Sequence, residues 1–188
     1  MDSIILASQS PRRKQLLEAA EIRFTIDVAD VDETEPSHIS VEKVPEYLAE
    51  KKAAVVAQRN ASAIVIAADT VVILDNEILG KPRDEADAMH ILKKLSGRKH
   101  IVVTGVCLQS PQCKHSFSVT TSVYFRELTT AQIQHYVTHY QPMDKAGAYA
   151  IQEWIGMVGI EKIEGDYYNV MGLPIGEVLK VLHSMTVA

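Results

Sequence analysis

The chain has 188 residues, 47% hydrophobic and 23% charged, an ordinary balance for a soluble globular protein with room for one substantial core or two small lobes. Its formal net charge of −5 argues against non-specific nucleic-acid binding, so a polyanion it takes should be small and held by a local cluster of cations. Two cysteines, Cys107 and Cys113, are too few for a disulfide framework. Met1-Asp2 opens directly into a strand-like run, with no signal peptide and no membrane-length apolar stretch, so the expected setting is a cytoplasm and no membrane partner is expected.

Ile4-Ile5-Leu6-Ala7 reads as a short buried strand. Ser10 is a good N-cap and Pro11 suits the first position of the helix that follows. The charge there is unusual: helix N-termini favour acids, yet Arg12, Arg13 and Lys14 fill the first turn. Serine hydroxyls, free N–H groups and arginines at one strand-to-helix turn suit a phosphorylated ligand better than a merely solvated face. Arg23 to Val28 reads as a second strand, followed by the acidic loop Asp30, Asp32, Glu33 and Glu35. Ser40 is placed to cap a long helix to about Arg59, with Pro45 delaying its start by a turn.

Ala63 to Ala68 is a near-continuous apolar run, read as a central strand ending at Asp69-Thr70. Val71–Leu74 and Glu77–Leu79 flank Asp75-Asn76 as a hairpin. Asp84 caps a helix closed by Gly97. His100–Gln109 and His115–Glu127 read as long antiparallel strands, and Thr129 with Gln132 makes a capping box for a helix to about Tyr140. Val158–Ile163 and Tyr167–Met171 read as a further hairpin around Glu164-Gly165-Asp166. A helix from Pro174 to Met185 closes the chain. The pattern is α/β: helices flanking a mixed twisted sheet with long antiparallel strands in its middle.

Asp69 is the leading catalytic candidate, because ligands of open α/β sheets sit beyond the carboxyl ends of strands. Hard divalent cations take oxygen ligands, so one acid of the 30–35 loop could join it in holding one; spacing does not choose among the four. No histidine–cysteine cluster supports zinc, and His100, His135 and His139 read as structural or surface groups. Lys51-Lys52, Lys81 between Gly80 and Pro82, and Lys145 add scattered cations. Neither a Walker loop nor a Rossmann fingerprint is present. A phosphate cradle, two carboxylate sources and lysines together suit metal-assisted attack of water on phosphorus.

The residues Leu6-Ala7-Ser8-x-Ser10-Pro11-Arg12-Arg13, Leu48-Ala49-x-x-Lys52-Ala53, Ala68-Asp69-Thr70-Val71-Val72 and Gly80-Lys81-Pro82 resemble the Maf family. The likeness continues through Leu95-Ser96-Gly97, Thr104-Gly105-Val106, Asp144-Lys145-Ala146-Gly147-Ala148-Tyr149-x-Ile151-Gln152 and Gly172-Leu173-Pro174. It covers nearly the whole chain, in order. The resemblance implies one Maf-type domain over 1–188, with two lobes around a cleft as in the inosine triphosphate pyrophosphatases. It also implies cleavage of nucleoside triphosphates between the α and β phosphates, with Mg²⁺ or Mn²⁺.

By the same resemblance Asp69 is the proton acceptor. Ser8, Arg13, Lys52 and Lys81 handle phosphate, and Glu33 with Asp69 associates with the metal. Arg12, Thr70 and Gln152 match the branch acting on dTTP and UTP. A neutral amide such as Gln152 both donates to and accepts from a pyrimidine edge. A homodimer is the family expectation. The other roles the resemblance suggests are 7-methyl-GTP hydrolysis and nucleotide-dependent regulation of septum formation. Two departures stand out: Gln9 replaces a small residue, and Glu153-Trp154 follow Gln152 where glycine is usual. Trp154 is read as packing in preference to a stacking surface.

Overall fold

The description rests on a computed structural model and covers residues 3–34, 36 and 38–187. Met1, Asp2 and Glu35 of the acidic loop lie outside the described residues. In chain order come β1 (Ser3–Leu6), α1 (Pro11–Ala19), β2 (Thr25–Ile26), a 3₁₀ turn (Val41–Lys43), α2 (Val44–Arg59), β3 (Ala63–Leu74), β4 (Glu77–Leu79) and α3 (Glu85–Leu95). They continue with β5 (Lys99–Gln109), β6 (Lys114–Phe125), α4 (Thr130–Tyr140), α5 (Trp154–Gly159), β7 (Ile160–Glu164), α6 (Tyr167–Met171) and α7 (Ile175–Val187). The strands form one seven-stranded mixed sheet in the order β2-β1-β3-β5-β6-β7, with β4 also paired to β3. This is the α/β architecture expected from the sequence pattern. Among the described residues no helix is long and apolar enough to cross a membrane.

The chain divides into two compact units. The first comprises Met1–Asp69, Thr104–Val119 and Gly172–Ala188. Its β1 runs parallel to β2 and to β3, with Leu6 opposite Ile66. Its core gathers Ile5, Ala7, Ala49, Ala53, Val56, Val65, Ala67 and Cys107. Helix α2 buries Pro45, Leu48, Ala49, Lys52, Ala53 and Val56, positions spaced three or four apart on one stripe. Lys52 therefore stands where the helical period demands an apolar residue.

The second unit comprises Thr70–Val103 and Thr120–Met171. Its core joins Leu79, Leu92, Leu95, Val102, Phe125, Tyr136, Tyr149 and Ile155. Helices α3 and α4 pack together. Asp84 caps α3 by accepting the Asp87 N–H at 2.8 Å. The Thr129–Gln132 capping box at α4 is complete. Asp75 and Asn76 both adopt positive φ, 51° and 66°, as the tight β3–β4 hairpin requires.

Four expectations are corrected. The strand from Ala63 does not end at Asp69-Thr70; β3 runs unbroken to Leu74, alongside the eleven-residue β5. What ends near Asp69 is its neighbour: β1 pairs only as far as Ile66, and β4 begins at Val72. The second strand is only Thr25–Ile26, at the sheet edge. Ser40 makes no side-chain cap; a 3₁₀ turn leads into α2, with Pro45 in its first turn.

Finally, Tyr167–Met171 is a helix. Asp166 turns the chain by accepting the Tyr168 N–H at 2.7 Å, and Asn169 buries its amide against the Val102 carbonyl and Thr121 Oγ1. These side-chain bonds outweigh the β-propensity of the two tyrosines.

Candidate active site

In the first unit the turn after β1 closes on itself. Ser10 caps α1, accepting from the Arg13 N–H. Ser8 Oγ accepts from the Ser10 N–H at 3.2 Å and from Arg13 Nη1 at 3.1 Å. Arg13 Nε donates to the Gly172 carbonyl at 2.8 Å, so the guanidinium is held from two sides. Burial draws the Arg13 pKa down; the nearby carboxylates of Asp69 and Glu33 oppose that, and Arg12 adds to it. Arg12, Arg13, Glu33 and Asp69 thus share one electrostatic neighbourhood.

Lys52 completes it. A buried unpaired ammonium costs several kcal/mol, so its place on the apolar stripe of α2 demands anionic partners. It has two: Asp69 Oδ1 at 2.6 Å and Glu33 Oε1 at 2.8 Å. Asp69 is mostly buried, with 15% of its side chain exposed, whereas Glu33 is 54% exposed. Among the described loop acids, two are given separate places. Asp32 accepts from the Thr34 N–H and hydroxyl at 2.9 and 2.5 Å, which holds its carboxyl below the ordinary range and commits it to a turn. Glu33 is the acid brought to Lys52 and Asp69.

The two carboxylates, drawn from separate segments onto one ammonium, fit a hard divalent cation by their donor chemistry. Among the described residues no group of three or more His, Cys, Asp or Glu is placed to hold an ion, so such a cation would need substrate oxygens or water as its other ligands.

The remaining candidates, Thr70, Lys81 and Gln152, belong to the second unit. The chain passes between the units at the Asp69–Thr70 bond. Lys81 is exposed beside buried Pro82, and its loop is tied down because the Gly80 carbonyl accepts the Gly147 N–H at 3.1 Å. Gly147 and Ala148 both have positive φ, 68° and 57°. For alanine that backbone costs about 1–2 kcal/mol. Ala148, Tyr149, Ala150 and Ile151 are all buried, and Gln152 is exposed directly after them.

Two features around this segment escape a reading of the sequence. Lys145 is buried, and its ammonium lies 2.8 Å from Asp144 Oδ1 and 3.5 Å from Glu153 Oε1. His100 is buried on β5, with Nε2 2.8 Å from the Tyr149 hydroxyl and its ring edge-on to Phe125 and Tyr149. Burial lowers the His100 pKa to about 3 and raises that of Tyr149. The histidine is therefore a neutral core group, in keeping with its structural reading. For His100 the available signal was its place at the opening of the apolar run of β5; nothing local marks Lys145, which stands beside Asp144. Trp154 packs on the core of this unit and meets His135 edge-on at 4.8 Å, as its packing reading expected.

Comparison with known proteins shows the family. The family model described as Maf-like protein matches residues 3–185. A relative from Phocaeicola vulgatus, called dTTP/UTP pyrophosphatase, is 48% identical over 176 residues, 92% of this chain and 90% of its own. Proteins of the same name from Christiangramia forsetii and Cytophaga hutchinsonii are 46% and 45% identical over 97% of this chain, covering 93% and 84% of theirs. With a converging lysine and carboxylates in the first unit and a family match spanning nearly every residue, the chain belongs to the Maf-like protein family.

Proposed function

We propose that this protein is a nucleoside triphosphate pyrophosphatase that hydrolyses dTTP and UTP to the monophosphate and pyrophosphate. The relatives that carry that name span nearly the whole chain, which supports the substrate class. The observation that carries the chemistry is the Lys52 ammonium bridging Asp69 and Glu33.

In this reading Asp69 takes the proton from the water that attacks phosphorus. Its partial burial and its ion pair keep the carboxylate oriented for that task. Lys52, Arg13, Ser8 and Lys81 bind phosphate oxygens and stabilise the charge that builds on them. Arg13 is pre-set by its bonds to Gly172 and Ser8. Glu33 and Asp69 would hold Mg²⁺ or Mn²⁺, which when bound neutralises phosphate charge and activates water. Arg12, Thr70 and Gln152 select the base, with the Gln152 amide donating to and accepting from a thymine or uracil edge. A homodimer working in a cytoplasm completes the proposal.

The decisive experiment is pyrophosphate release from a panel of triphosphates with Mg²⁺ or Mn²⁺. Turnover of dTTP and UTP is expected. Turnover of 7-methyl-GTP with neither of them would overturn the base assignment, and nucleotide binding without turnover of any would overturn the enzyme.

A further inference from the structure

Glu153 directly follows the proposed base reader, Gln152. One of its carboxylate oxygens accepts from the hydroxyl of Tyr136, which is fully buried on α4; the other lies 3.5 Å from the buried Lys145 ammonium. The same Tyr136 hydroxyl accepts the Ala150 N–H at 3.2 Å. One phenol therefore fastens the segment both before and after Gln152. The Glu153 N–H donates to the Ala150 carbonyl at 3.1 Å, and the Glu153 carbonyl accepts the Gly156 N–H at 2.9 Å, which folds the backbone tightly around Gln152. Gly156 leaves no room for slack: a side-chain carbon there would lie 1.8 Å from the Ile151 carbonyl oxygen. At the other end the segment is pinned by Gly147 to Gly80 and holds Ala148 in a left-handed conformation. Residues 148–151 are buried throughout, so Gln152 is an exposed amide projecting from an immobilised stretch.

We infer that Glu153, gripped by Tyr136 and Lys145, is a positioning residue that pre-organises Gln152 and so sets discrimination between pyrimidine edges. This rests on the dTTP/UTP reading above. A fixed backbone sets where the Gln152 side chain starts, so placing its amide against the 4-oxo edge of a pyrimidine costs less ordering and tolerates fewer displaced bases. A mobile backbone lets the amide shift to suit a 4-amino edge as well. A freely moving backbone at position 153 would therefore bind UTP more weakly and reject CTP less well. The clamp touches neither water nor phosphate in the proposed reaction, so its loss should act on KM and selectivity and leave kcat largely unaltered.

The test compares full-length wild type, E153Q, E153A, Y136F and Y136F/E153A, with kcat and KM measured for UTP and for CTP. For E153A, KM for UTP should rise about tenfold with kcat within about twofold, and the UTP/CTP ratio of kcat/KM should fall about tenfold. E153Q keeps an acceptor for Tyr136 and should fall between wild type and E153A. Because Tyr136 and Glu153 act as one clamp, the double variant should be no worse than the poorer single variant. An unchanged UTP/CTP ratio in E153A, a fall in kcat at constant KM, or multiplicative effects in the double variant would overturn the inference. Should E153A fail to fold, E153Q and Y136F carry the same comparison. Absence of UTP turnover by wild type would sink the proposed function itself, an outcome visible without any variant.

Discussion

Two lysines of this chain, Lys52 and Lys145, have nearly the same burial and partners of the same kind, yet they sit in different kinds of site. Each is under a tenth exposed and lies between two carboxylates. Around Lys52 the carboxylates come from a loop and a strand distant in sequence, and Glu33 is more than half exposed. A triphosphate or a cation could exchange with such a bridge. Around Lys145 one partner is its neighbour Asp144, and the other, Glu153, is also gripped by Tyr136 and sits beside a tightly folded backbone. Asp144 is as exposed as Glu33, at 56%, so what separates the two networks is the second grip on Glu153. Burial and charge alone do not distinguish the two lysines; the further hydrogen bonds made by their partners do.

The sharpest way to break this comparison is at Asp69. Asp69→Asn should reduce kcat for UTP by about 10²–10⁴ while nucleotide binding remains measurable by calorimetry. Unchanged turnover would remove the first cluster from the chemistry. Next, Lys52→Met should lower kcat about 10²-fold or more. Lys145→Met should instead act through KM and through stability, costing about 2–3 kcal/mol because a buried network loses its cation. Thermal melting and steady-state kinetics on both variants decide it, and parallel losses of kcat would erase the distinction.

A third contrast is acid lability in the second unit. The His100 imidazole titrates at about 3 in the folded protein against an ordinary 6.5, so between those values the unfolded chain binds more protons. Its contribution to stability is therefore present above pH 6.5 and is lost as pH falls toward 3. By pH 5 that loss is about 2 kcal/mol. His100→Gln should flatten the fall in melting temperature between pH 7.5 and 5, and an equal slope in the variant would assign the lability elsewhere. The smallest effect is expected at Thr129, the cap of the helix that carries Tyr136. Thr129→Ala should cost about 1 kcal/mol, seen as a few degrees of melting temperature. Its UTP/CTP selectivity should match wild type, which would separate helix stability from the clamp.

Much of the architecture was legible because local rules decided it. Asp84 and the Thr129–Gln132 box start their helices, Asp75-Asn76 turns the β3–β4 hairpin, and Ala63–Ala68 is the central strand. The reading failed where side chains far apart in sequence competed with propensity. Thr121 and Val102 capture Asn169 and hold Tyr167–Met171 in a helix. In the candidate site the motifs pointed to Asp69 and Lys52 separately; spacing did not choose among Asp30, Asp32, Glu33 and Glu35, and only the family resemblance named Glu33.

What the sequence determined by itself was the α/β class, the family and the identity of the candidate residues, because these follow from short-range periodicity, caps and motifs. The tertiary structure alone decided which carboxylate meets Lys52, that Lys145 is held internally, and that Tyr136 reaches both sides of Gln152. Each of these is a pairing between segments remote in sequence. A buried charge or hydroxyl must find a partner, and only the folded chain brings that partner within hydrogen-bond reach.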